Sequence, residues 1–147
     1  MQSRRPSSSL WGRRLRLPLL LPVTLLLAGA TDTWTDPETH LLWAKADNGS
    51  GVTYSQAEYY CAHLRLAGYS DWSLPAVDDL RALFGGPANA HGYHVTGPLN
   101  LTGWEWSSSP GKQPGEKWVM DVGDGARASV VMCDSGLNRA LCVRHAP

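Results

Sequence analysis

The chain has 147 residues, 43% of them hydrophobic, with 13 basic and 13 acidic side chains and a formal net charge of zero. The first thirty positions hold five arginines and no acid, so the remaining 117 residues keep eight basic residues against 13 acids, a net charge of −5. That acidic remainder, with no basic run, argues against nucleic acid, polyphosphate or an anionic membrane surface as partners, because each is held by clustered Lys and Arg.

Arg4, Arg5, Arg13, Arg14 and Arg16 form a basic leader segment. Residues 17–27 are apolar apart from Pro18, Pro22 and Thr24, and Ala28-Gly29-Ala30 is a small-residue cleavage site. The apolar stretch is shorter than the roughly 20 residues a membrane span requires. The pattern predicts a secretory signal peptide over residues 1–30, a secreted or periplasmic product, and no stable membrane anchor after cleavage. Residues 31–147 then suit a single domain of common size.

Asp36-Pro37-Glu38-Thr39 reads as a turn, and Leu41-Leu42-Trp43-Ala44 as a strand. The best-marked element follows: Thr53 and Gln56 have capping-box spacing, and Ala57, Cys61 and Leu64 recur on one helical face. Gly68 is expected to end this helix. A second helix is predicted near residues 77–84, with Val77, Leu80, Leu83 and Phe84 as its apolar face and Asp78 and Asp79 in its first turn. Residues 88–102 are rich in Gly, Asn, Pro and His and read as a long surface loop, a feature that in compact domains is usually functional or poorly ordered. Trp118, Met120 and Val122 alternate with Val119 and Asp121, and Gly123-Asp124-Gly125 predicts a tight hairpin. Ala128, Val130 and Met132 share the next strand's face, and a last strand spans residues 140–144. The fold class is α+β, two short helices followed by antiparallel strands.

Three cysteines in an exported chain imply one bridge and one remaining thiol. Joining Cys61 to Cys142 ties the first helix to the last strand. A hairpin between residues 129–133 and 139–143 instead sets Cys133 opposite Cys142. The first pairing is favoured, leaving Cys133 as a buried thiol or an intermolecular contact.

Several short patterns occur together in order: Asp36 with Thr39-His40-Leu41-Leu42-Trp43; Ala57 with Cys61; Gly68-Tyr69-Ser70-Asp71-Trp72-Ser73-Leu74-Pro75 with Asp79-Leu80; Trp106-Ser107-Ser108-Ser109; and Cys142-Val143-Arg144. In these the chain resembles the Lcl C-terminal domain family, the C-terminal domain of Legionella collagen-like protein, found in bacterial exported proteins. The resemblance covers residues 34–144. It implies a C-type lectin-like fold in which one long-range disulfide joins the first helix to the last strand, hence Cys61 to Cys142. It makes Trp43, Gly68, Asp71, Trp72, Leu74, Pro75, Trp106, Ser107 and Arg144 structural motif residues. It also implies a binding role, the founding member being an adhesin that binds sulfated glycosaminoglycans as a trimer. Three positions depart from the family pattern. His40 stands for Gly, Ser73 for the Arg expected to partner Asp71, and Ala76 for a capping Thr or Ser. No collagen-like stalk is present, and an acidic domain is a poor match for sulfated glycans.

Trp43, Trp72, Trp106 and Trp118 are expected in the core. Trp104, beside the long loop and next to Glu105, is the candidate for an exposed platform under a sugar ring. His91 and His94 are further ligand-binding candidates, but no third ligand completes a zinc site, so no metal or cofactor is expected. Catalytic motifs such as G-x-S-x-G, H-E-x-x-H and a phosphate loop are missing. A Glu105–Asp121 pair is a conceivable glycosidase set only at a suitable separation. The reading is a non-catalytic recognition module for a surface glycan or surface protein, with a structural envelope protein as the alternative.

Overall fold

A computed structural model describes residues 32–145, so the signal peptide expected over residues 1–30 lies outside the described residues. The chain begins with β1 (Thr33–Thr35) and β2 (Leu42–Ala44), followed by α1 (Tyr54–His63) and α2 (Val77–Leu83). After the long loop come β3 (Trp104–Pro110), β4 (Glu116–Met120), β5 (Arg127–Val131), β6 (Asn138–Arg139) and β7 (Val143–Arg144). Two sheets result, ordered β1-β2-β7 and β5-β4-β3-β6. The α+β class and the two short helices are as expected.

The turn before β2 is held by Asp36, whose carboxylate accepts from Glu38 N and Thr39 Oγ1 at 2.9 and 2.7 Å. His40 closes the turn at φ 60, the left-handed region where Gly is the easiest occupant. This accounts for the family's Gly at that position. The capping box of α1 forms in both directions, Thr53 N donating to Gln56 Oε1 and Gln56 N to Thr53 Oγ1. Tyr54, Ala57 and Cys61 bury its inner face, and the Tyr54 ring meets Trp106 edge-on at 5.7 Å. The helix stops at Leu64, earlier than Gly68, which instead takes φ 81 in a separate turn where Leu66 and Tyr69 exchange backbone hydrogen bonds.

Ala76 has no side chain to cap α2, but the loss is covered from two sides. Asp79 accepts from Ala76 N at 2.9 Å, and Ser109 Oγ, brought in by β3, accepts from Val77 N at 3.0 Å. Leu80 and Leu83 are buried as predicted, whereas Phe84 is 42% exposed.

The closing segment, residues 138–144, is the spine of the fold, with Ala140, Leu141, Cys142 and Val143 fully buried. β6 lies parallel to β3. β7 pairs antiparallel with β2, and Val143 exchanges two 2.9 Å backbone bonds with Ser73. The expected single last strand in an antiparallel run is therefore two short strands in different sheets, one of them parallel.

This topology separates Cys133 from Cys142. β5 is an edge strand bonded to β4, and the chain crosses the sheet before reaching β6, so no hairpin aligns the two cysteines. The disulfide joins Cys61 to Cys142, closing a span of 81 residues. Cys133 is free and exposed, correcting the expectation of a buried thiol, because it lies just beyond the edge strand.

The core has two clusters, one holding Cys61, Trp72, Trp106 and Val119, the other Trp43, Leu80, Leu83, Met120 and Val122. β4 contributes neighbouring residues to both, so both faces of its C-terminal end are covered and simple alternation fails. Trp118, expected in the core, is only partly buried, lying under the Arg127 guanidinium at 5.0 Å and the Lys112 ammonium at 5.7 Å. The β4–β5 connection is wider than a tight hairpin: Asp121 N donates to Ala126 O, and Gly125 N to Asp121 O.

Candidate functional site

The Gly68–Pro75 motif is architectural. Trp72, Leu74 and Pro75 are buried. Asp71, deprived of an Arg at position 73, receives Arg144 Nε at 2.6 Å, and the same guanidinium lies 4.0 Å from the Tyr69 ring centre. The Arg144 hydrogen bond holds the Asp71 carboxyl below its usual value. The partner expected from position 73 is thus supplied by the last strand. Buried Ser107 accepts from Ser109 N at 2.9 Å and so shapes the bulged end of β3.

The long loop is anchored on both sides. Asn89 Oδ1 accepts from His91 N and Tyr93 N, at 2.9 and 3.1 Å. His94 N donates to Gly123 O, and the Tyr93 ring packs so tightly on Gly123 that a Cβ there would sit 2.5 Å from it. Further on, Leu99 is buried with the second core cluster, Asn100 N donates to Lys45 O, and Thr102 N and Oγ1 donate to Asp47. Backbone without regular periodicity is thereby given a defined course.

Between this loop, the start of β3 and the β4–β5 turn is a cleft of about 330 Å³. His91, Tyr93, Asn100, Trp104, Asp121 and Leu137 are among its walls. Of the sequence candidates, Trp104 and His91 are brought together here. Trp104 is partly buried against the first core cluster, so it offers one wall and is not the free-standing platform expected. His94 is turned elsewhere: its ring N–H donates to Gly86 O at 2.8 Å and its ring abuts Phe84. Sequence reasoning missed Tyr93, Asn100 and Asp121 as wall residues. Their contribution arises from long-range packing and has no local signature.

Glu105 differs most from expectation. Its neighbour Trp104 faces the cleft, but Glu105 is 0% exposed and forms no part of the cleft wall, since successive strand residues point to opposite faces. Neither carboxyl oxygen accepts a hydrogen bond from a donor among the described residues, and the Asp47 carboxylate is the side chain within hydrogen-bonding reach. Burial, then the neighbouring Asp47, raises its pKa well above the usual value; Arg139 opposes this and Asp121 adds to it. A neutral acid able to donate toward Asp47 is the state this environment favours. Asp47 in turn holds Thr102 and Gly49 N, so the buried acid sits behind a bonded wall of the cleft. Among the described residues no group of three or more His, Cys, Asp or Glu is placed to hold a metal ion. No helix among them is long and apolar enough to cross a membrane.

A family model described as the Lcl C-terminal domain matches residues 32–144. No curated protein matches the chain.

Proposed function

Because the chain belongs to the Lcl C-terminal domain family, we propose that it is a non-catalytic extracellular or periplasmic recognition module, binding a surface glycan or surface protein through the cleft beside the long loop. The observation that carries this reading is the cleft itself. Irregular chain is anchored by Asn89, Tyr93 and Thr102 around a concave wall that includes Trp104. Loops set on a rigid scaffold are where binding residues concentrate. The bridge from α1 to the last segment supports a C-type lectin-like reading of the fold, and a disulfide suits an oxidising compartment. Full burial of Glu105 argues against a role for it in glycoside hydrolysis with Asp121.

The test is a glycan array together with an unbiased pull-down on the oxidised protein. Reproducible capture that weakens in Trp104→Ala supports the reading; no capture, or capture indifferent to that change, refutes it. Exposed Cys133 favours a second reading, a structural envelope protein joined to its own copies. Mass measurement without reductant tests it, and a monomer with a free thiol counts against it.

A further inference from the structure

Resting on the recognition reading above, we propose that the cleft takes an uncharged saccharide and disfavours sulfated or carboxylated ones. Among the described residues neither Lys nor Arg lines it, and Asp121 is its one carboxylate. Asp121 Oδ1 accepts from Gly123 N at 2.9 Å, leaving Oδ2 open. An anionic ligand would bring like charge against that oxygen with no Lys or Arg in the walls to offset it, His91 being the one wall side chain that a proton could make cationic. Arg139 donates its Nε to the wall residue Thr102 Oγ1 at 3.2 Å, and its Nη1 is buried with no acceptor among the described residues. It stands behind the wall and does not line it.

The remaining polar groups suit hydroxyls. Asn89 uses its carbonyl oxygen inside the loop and leaves its NH₂ free. Among the described residues, the side-chain amide of Asn100, the indole N–H of Trp104 and the hydroxyl of Tyr93 have no partner. A sugar hydroxyl both donates and accepts, so free donors and an open carboxylate oxygen on residues lining one cleft can satisfy several hydroxyls at once. The hydroxyl-to-carboxylate bond is of the stronger, charge-assisted kind. Tyr93, 48% exposed, and Trp104 add apolar ring surface for the C–H face of a pyranose. The volume lies at the lower end of small-ligand clefts, which fits a short saccharide segment.

The experiment is calorimetric titration of the purified oxidised protein with oligosaccharides of glucose, mannose and N-acetylglucosamine, and with heparin. At least one uncharged series should bind and heparin should not. Trp104→Ala should weaken that binding about tenfold, equivalent to about 1.4 kcal/mol. Asn100→Ala, an exposed change outside the core, should weaken it severalfold with the melting temperature unchanged, which guards against a misfolded Trp104 variant. Heparin binding abolished by the Asn100 change, with no uncharged ligand bound, overturns this inference and leaves the recognition reading standing. If no saccharide binds, the inference falls. If in addition no protein is captured in a manner sensitive to Trp104, the recognition reading falls with it.

Discussion

Glu105→Gln is expected to raise stability at neutral pH, and by an amount that grows with pH. Glu105 is fully buried with no donor among the described residues to its carboxyl oxygens, and burial followed by Asp47 holds its pKa well above the ordinary 4.5. Between 4.5 and that higher folded value the folded state therefore keeps a proton that the unfolded chain has already released. A carboxyl raised in this way contributes its full stabilisation below 4.5 and loses it as pH climbs toward the folded value. Each pH unit across that window costs about 1.4 kcal/mol. Glutamine has nearly the same shape, cannot titrate, and can donate its NH₂ to Asp47. Urea unfolding of both proteins at about pH 4 and about pH 7 reads the effect, because titrating groups not coupled to Glu105 cancel in the difference. The two should be nearly equal in acid and diverge in favour of Gln on raising the pH. The reasoning is refuted if Gln is less stable by about 3–5 kcal/mol at neutral pH, the signature of a broken buried ion pair, which would make Glu105 an ionised partner of Arg139.

Replacing Cys61 and Cys142 together by Ala should lower unfolding free energy by about 4 kcal/mol, since their bridge spans 81 residues; urea titration checks this. Ser109→Ala should cost about 1 kcal/mol through loss of the acceptor for Val77 N, seen as a lower urea midpoint with unchanged slope. In Arg144→Gln the Asp71 carboxyl, now held low by the Arg144 hydrogen bond, should titrate nearer the ordinary 3.8 by NMR. The stabilisation linked to that pair is present above 3.8 and disappears as pH falls through the lowered midpoint, so wild type and variant should converge in strong acid.

The elements readable from sequence were those whose signals are short-range. Thr53 and Gln56 sit three residues apart and satisfy each other's backbone, so the start of α1 follows from local chemistry. Ala128, Val130 and Met132 do pack toward one cluster, because β5 is an edge strand covered on a single face. Alternation failed in β4 for the converse reason: Val119 and Met120 are both buried, each against a different cluster. Glu105 was misplaced beside Trp104 because adjacency in sequence reverses direction in a strand.

Sequence alone determined the capped first helix, the motif that belongs to the scaffold, and membership of a family whose pattern pairs Cys61 with Cys142. Tertiary structure decided that the closing segment splits between two sheets, that Cys133 stands exposed, and that a cleft forms with His91 in it and His94 outside. The first group depends on contacts a few residues apart or on a pattern the whole family shares. The second depends on which distant segments pack together: Trp104 meets Tyr93, Asn100 and Asp121 around one cleft only because the loop is pinned at Gly123, Lys45 and Asp47.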